Sequence, residues 1–244
     1  MSGRFLASTT VRILRQLRHD RRSLALVILM PLLLLTLVYF MWEGQPQFDR
    51  IALIMLGVFP FVIMFLLTSI AVLRERTSGT LERLFTTPLG KLDLLFAYGV
   101  AFGLAAAVQA AIAALYAHWV LGMDAAGNLG LIVLIAVANA VLGVSIGLLC
   151  SAFARTELQA AQFLPLVVLP QLLLCGLFVP RDQMAGWLET LSNAMPMTYA
   201  VEALMEVGAN ADPTGTMWRS LGVVTALIVA GLVLGALTLR RRTP

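Results

Sequence analysis

The stretch from Ile51 to Leu73, IALIMLGVFPFVIMFLLTSIAVL, runs for 23 residues without a charged side chain and is flanked by Arg50 and Arg74. A helix needs about 20 mostly apolar residues to cross the hydrocarbon core of a bilayer, so this stretch reads as a membrane span. Outward from it the pattern recurs in Ser23 to Met41, Leu94 to His118, Leu129 to Phe153, Ala161 to Val179 and Ser220 to Leu239. The 244-residue chain is 60% apolar and 12% charged, with a mean hydropathy of +0.90. Soluble domains carry about 25% charged residues, and none of this size hides so much apolar surface. A closed barrel would show short alternating segments instead of long runs. The expected fold class is an all-α membrane protein with six transmembrane helices, a single transmembrane domain over residues 1–244.

Six spans put both ends of the chain on one side. Of the 17 basic residues only Arg50, Arg181 and Arg219 fall on the other, and the positive-inside rule then makes both termini cytoplasmic. The net charge of +4, placed this way, points to lipid and not to nucleic acid. The basic start resembles a signal peptide, but no small-residue cleavage site follows it, so a retained first span is expected. Within residues 1–22, Leu6, Ile13, Leu14 and Leu17 fall on one side of a helix. Arg4, Arg12, Arg15, Arg18 and Arg22 fall within an arc of roughly 120° on the other. Such a helix lies in the membrane surface, either as a headgroup anchor alone or also as a contact for a cytosolic partner.

On the far side, residues 180–219 are too apolar for a free loop. Trp187, Leu188 and Leu191, then Tyr199, Val201, Leu204 and Val207, are split by Asn193 and Pro196. Two short re-entrant helices in the outer leaflet are expected, closing a substrate cleft or shielding a dimer interface. Prolines Pro31, Pro60, Pro165 and Pro170 lie inside spans, where each removes a backbone hydrogen bond and bends the helix, for shape or for gating.

The search for chemistry inside the membrane is short. Buried polar candidates are Thr68, Ser69, Gln109, Asn139, Ser145, Gln162 and Gln171, with no carboxylate, Lys or Arg at mid-span. An ion-coupled carrier normally needs such a charge, which weighs against that class. The two histidines, His19 and His118, have no metal-ligand or acid-base neighbour at motif spacing, so no enzyme, catalytic residue or metal site is expected. Cys150 and Cys175 fall near opposite faces, out of disulfide reach. No phosphate loop of the Gly-x-x-x-x-Gly-Lys-Ser/Thr kind is present, so this chain does not itself cradle a nucleotide.

One cytoplasmic segment, residues 74–92, carries more information. It opens Arg74-Glu75-Arg76-Thr77-Ser78-Gly79-Thr80-Leu81-Glu82-Arg83-Leu84-Phe85 and ends Thr86-Thr87-Pro88-Leu89. Physically this is a short helix that Thr77 or Ser78 can cap, with Leu81, Leu84 and Phe85 on one face and Pro88 as the stop. An apolar face on a water-exposed loop is covered either by a partner, by the bilayer or by the N-terminal helix.

The pattern Glu75-x-x-x-Gly79-Thr80-Leu81-Glu82-x-Leu84, followed by Thr87-Pro88, resembles the coupling segment of the ABC-2 type transporter permeases, which include drug-resistance and nodulation-type exporters. The resemblance extends over the amphipathic start, the six-span plan and the segments Val179-Pro180-Arg181 and Pro196 to Ala203. It implies a plasma-membrane permease, in bacteria an inner-membrane one, that pairs with a second protomer as a homodimer or heterodimer. Each protomer would stand on a separate cytosolic ATPase that binds the ATP and Mg, leaving this chain without a cofactor. It also implies that Glu75, Gly79, Thr80, Leu81, Glu82, Arg83, Leu84, Phe85 and Pro88 form the ATPase-coupling site. The cargo implied is hydrophobic or amphipathic: drug-like, a lipid or a lipid-linked glycan. A stand-alone channel or secondary transporter, and less so a membrane enzyme or assembly factor, are the other readings.

The topology is directly measurable. Single cysteines at Asp49, Asp124 and Glu189, in a chain lacking Cys150 and Cys175, should react with impermeant thiol reagents on intact cells, whereas one at Arg155 should stay unlabelled.

Overall fold

The computed structural model describes the backbone of residues 3–77 and 91–238. Among these residues there are nine α-helices, one 3-10 turn and no strand. They are α1 (Gly3–His19), α2 (Arg21–Met41), α3 (Gln47–Thr77), α4 (Lys91–Trp119), α5 (Leu129–Ser151) and α6 (Glu157–Leu174), the turn Arg181–Gln183, then α7 (Gly186–Asn193), α8 (Pro196–Ala209) and α9 (Gly215–Thr238). Six of them, α2 to α6 and α9, are long and apolar enough to cross a membrane.

Apolar burial does little to drive helices together in lipid, because the tails are as apolar as leucine. Close backbone approach and hydrogen bonds must do it instead. The central pair, α3 and α5, uses both. Asn139 donates from Nδ2 to the Gly57 carbonyl at 3.0 Å. One turn on, Gly143 lies against the backbone of Phe61, and one turn further Gly147 lies against Phe65. A Cβ on Gly147 would come within 2.6 Å of the Phe65 carbonyl oxygen, and one on Gly143 would meet the Phe61 carbonyl as hard. The contacts advance by four residues on both helices together, as parallel helices require and as spans two and four must run.

Around this pair the other spans take graded positions. In α3, 61% of the span window is buried, against 17% in α2 and 22% in α6, which makes those two the peripheral helices. Their outward side chains are apolar, including Leu26, Leu29 and Leu33 on α2 and Leu166, Leu169 and Leu173 on α6. Helix α4 buries a stripe of small residues, Ala106, Ala110, Ala113 and Ala117, and its Gly103 faces Val141 of α5.

Few polar side chains lie inside the bundle. Thr68, Ser69, Gln109, Asn139, Ser145 and Gln171 are buried, whereas Gln162 faces outward. Gln171 works at both ends of its amide. Nε2 donates to the Val167 carbonyl at 2.9 Å, and Oε1 accepts the Met197 backbone N–H at 3.1 Å at the start of α8.

The span limits differ from expectation where local chemistry overrides hydropathy. Helix α6 begins four residues earlier than Ala161, because the Thr156 hydroxyl accepts the Gln159 N–H and caps it. It ends at Leu174 instead of Val179, because Gly176 turns the chain with φ +96°, a conformation that favours glycine. Helix α9 starts at Gly215, where the Thr214 hydroxyl accepts the Met217 N–H at 3.1 Å. None of Pro31, Pro60, Pro165 and Pro170 ends its helix. Between α6 and α9 the chain forms the two expected short helices, α7 and α8, with Pro196 at the first position of α8. Cys150 and Cys175 are free thiols.

Because Gly143 faces backbone and not a movable side chain, Gly143→Leu should cost about 3 kcal/mol, the upper end for overpacking, and abolish a monodisperse detergent-extracted protein. Gly99→Leu, where a Cβ would meet nothing within 4 Å, should leave thermal unfolding in detergent unchanged.

Candidate functional site

The loop singled out in the sequence leaves the bundle at the end of α3. Its residues 78–90, with Gly79, Thr80, Leu81, Glu82, Arg83, Leu84, Phe85 and Pro88, lie outside the described residues. What the structure defines is the root from which the loop emerges. Thr77 is the last residue of α3, and its hydroxyl donates back to the Leu73 and Arg74 carbonyls at 3.1 Å. The expected cap of the next helix, Thr77 or Ser78, would act on residues that lie outside the described ones.

The three residues before Thr77 each reach a different part of the bundle. The Glu75 carboxylate receives Arg12 of α1, with Nη2 at 3.0 Å from Oε1, and the hydroxyl of Tyr98 on α4 donates to its other oxygen. Only 12% of the Glu75 side chain is exposed. Arg76 extends the other way, donating from its guanidinium to the carbonyls of Ala152 and Ala154 just past the end of α5. The Ala152 carbonyl belongs to the C-cap, which lacks an intrahelical partner and carries the negative end of the helix dipole, so a guanidinium there satisfies both needs. Arg74 makes a two-pronged contact with Glu157 in the first turn of α6, at 2.6 and 2.9 Å. Both side chains of that pair are more than half exposed, which leaves it little weight.

Helix α1 is seated on this junction by its other face. Thr9, Thr10 and Ile13 are buried. Ile13 joins a cluster with Val72, Tyr98, Phe102 and Leu148, and Leu14 and Leu17 pack against it. The apolar side of the helix thus meets the bundle, whereas the sequence reading laid the helix in the membrane surface. Arg15 and Arg18 are exposed, whereas Arg12 turns inward to Glu75. The side chain of Arg22 lies outside the described residues. Along the outer side of α1 runs an open groove lined by Ala7, Val11, Arg15 and His19 among others, with the His19 ring nitrogen 2.8 Å from the Arg15 carbonyl.

The second connection on this face, residues 152–156, is ordered by its own cap. The Gln159 side chain accepts the Arg155 backbone N–H at 2.8 Å while Thr156 accepts the Gln159 N–H, a reciprocal arrangement of the capping-box kind. At the opposite end of the bundle, Arg181 pairs with Glu202 at 3.6 Å and also donates to Asn193, and Ser220 of α9 donates to the Glu202 carboxylate at 2.7 Å. Arg50 of α3 donates to the Gly176 carbonyl at 2.9 Å. These contacts tie the turn at Arg181 to α7 and α8, α8 to α9, and α3 to the turn that follows α6. Sequence reasoning missed the inward turn of Arg12, the role of Tyr98 and the Arg181–Glu202–Ser220 set. Opposite charges distant in sequence were their only signal. Among the described residues no group of His, Cys, Asp and Glu side chains is placed to hold a metal ion.

Six apolar helices around a glycine-mediated core define a multi-pass α-helical membrane protein. The chain belongs to the ABC-2 type transporter family, whose model matches residues 4–207, and the family is one of transport permeases. It is similar to the ABC transporter G family member 20 of Dictyostelium discoideum, 25% identical over 193 residues, which cover 78% of this chain and 26% of that protein. It is also similar to the probable multidrug ABC transporter permease YbhR of Escherichia coli, 28% identical over 64% of this chain and 42% of the relative. The linearmycin resistance permease protein LnrN of Bacillus subtilis is 25% identical over 69% of this chain and 44% of its own length. The chain thus spans less than half the length of each of these relatives.

The geometry separates strong from weak contacts. Arg76→Ala strands the Ala152 and Ala154 carbonyls, which accepted charge-assisted bonds, and should destabilise the detergent-solubilised protein by about 1.5–3 kcal/mol. Arg74→Ala, removing an exposed pair, should leave the unfolding midpoint unchanged within error.

Proposed function

We propose that this chain is the membrane-spanning permease subunit of an ATP-binding cassette exporter, paired with a second permease protomer and driven by a separate ATPase on its arginine-rich face, which is cytoplasmic. The observation that carries this reading is the junction at the loop root. A loop that only connected two spans would need no anchoring, yet Glu75 and Arg76, at its base, are bonded into α1, α4 and the α5–α6 turn. Family membership and the loop pattern Glu75 to Leu84 support the ATPase as the partner that loads this junction. The groove on α1, bordered by Arg15 and His19, offers a second surface for it.

The cargo we assign is hydrophobic or amphipathic. The bundle carries no buried charge among its described mid-span residues, only amides and hydroxyls, which suits an apolar molecule better than an ion. Two relatives named for multidrug and linearmycin resistance agree with such a cargo. In this scheme α7 and α8, held by Glu202 and Gln171, close the outer end of the path.

The test is a single charge at the expected centre of the loop contact. Large apolar side chains contribute roughly 1.5–3 kcal/mol each when buried, and an unpaired carboxylate in a dry groove reverses that. Leu84→Asp should reach normal abundance in the membrane yet lose co-purification of the ATPase, whereas Arg155→Ala should retain it. Wild-type ATPase capture by Leu84→Asp would remove the coupling assignment.

A further inference from the structure

Helix α1 keeps a surface that its packing does not use. Its apolar face, with Ile13, Leu14 and Leu17, is taken up by the bundle, so the helix is not held by inserting leucines into lipid. The groove on its other side has a volume of about 750 Å³, within the range of sites that hold small molecules. Its lining follows the helix at four-residue steps, Ala7, Val11, Arg15 and His19, with Arg12 and Gln16 beside them. Chemistry divides this stripe. Its first half is apolar, with Val11 45% exposed, and its second half is cationic or polar.

The charge of the second half is uncompensated. Glu75 matches Arg12. Among the described residues Arg15 takes part in no ion pair. Asp20, the acidic residue that follows His19, acts on Arg74. An apolar half continued by an anion-seeking half is the complement of an amphiphile with a negative head.

Depth selects the kind of amphiphile. Helix α2 starts at Arg21, and its exposed Leu26 follows His19 by seven residues, about 10 Å along a helix. The middle of α1 lies at a similar level, because Thr10 faces the Ala97 carbonyl at 3.5 Å, and the apolar run of α4 begins at Phe96. The headgroup layer on each side of a bilayer is about 5–8 Å thick, so both halves of the groove lie at the depth of phosphates and upper acyl chains.

We propose that this groove is a binding site for an anionic phospholipid of the leaflet on the arginine-rich face, with its phosphate at Arg15 and His19 and the upper acyl chain along Val11 and Ala7. The site does not depend on the ATPase reading. A lipid seated there lies between α1 and any protein that approaches this face.

The test places a bimane label at Val11→Cys, in the full-length chain lacking Cys150 and Cys175, and reconstitutes it in nanodiscs. Phosphatidylglycerol or phosphatidylcholine with brominated acyl chains, which quench on contact, is titrated into unbrominated phosphatidylcholine. One basic side chain near an anionic surface favours it by about fivefold, so phosphatidylglycerol should occupy the Val11 position with at least about that preference. A label at Leu29→Cys, on the lipid-facing side of α2, should be quenched equally by both lipids. Arg15→Ala with His19→Ala, both exposed positions, should remove the preference at Val11, and Arg15→Lys should retain most of it. Arg18→Ala, exposed but outside the groove, should leave it unchanged.

Equal quenching by the two lipids at Val11 would overturn the proposal, as would a preference that survives the double substitution. A fall as large in Arg18→Ala would mean diffuse surface attraction in place of a site. Loss of the preference in millimolar inorganic phosphate would make the occupant a free anion, and displacement of the brominated lipid on addition of the ATPase would assign the groove to that protein. Either result overturns the lipid site. Unchanged ATPase capture in Leu84→Asp removes the coupling assignment alone and leaves the outcome at Val11 as expected here.

Discussion

Everything in this bundle hangs from the parallel contact between α3 and α5. In lipid, helices gain little from hiding leucines, so their backbones must come close enough for dispersion and for side-chain-to-carbonyl bonds. The three matched pairs Asn139 with Gly57, Gly143 with Phe61 and Gly147 with Phe65 provide that approach in one register. A shift of one residue would put Val144 or Leu148 where glycine now sits. The contact therefore sets both the distance and the axial alignment of the two central spans. Helices α4 and α9 add to the same surface with their own small residues, Gly103 and Gly231.

That alignment has a consequence at the arginine-rich end. With α3 fixed against α5, the last turn of α3 arrives beside the end of α5, and Arg76 reaches the carbonyls there. It also arrives beside the start of α4, so Glu75 meets Tyr98, and α1 then folds over both. The junction is a product of helix lengths. Helix α3, at 31 residues, outruns what a bilayer needs, and its surplus forms the root of the loop.

The sequence made some of this plain and kept the rest. Span existence, the short helices α7 and α8 and the apolar side of α1 were legible, because hydropathy and periodicity reflect single elements. Span ends were less so: Thr156 and Gly176 moved α6 toward its N-terminus through capping and a left-handed turn, which hydropathy does not register. Helix pairing was invisible except as the Gly143-x-x-x-Gly147 spacing, which a scan for small residues would have found. The inward turn of Arg12 was hidden for a different reason. It lies on the same helical arc as Arg15 and Arg18, and only the arrival of Glu75 from 63 residues away distinguishes it.

That separation bears on how the protein is made. Helix α1 leaves the ribosome before its seat does, because that seat consists of Glu75 and Tyr98, which belong to the second and third spans. Until those residues are synthesised, Arg12 has no carboxylate to meet and Ile13 has no cluster to enter. The first helix therefore spends the early part of synthesis with its basic side available to anionic headgroups, the period in which topology is set. Docking of α1 comes afterwards, as a late step of assembly that seals spans already in place.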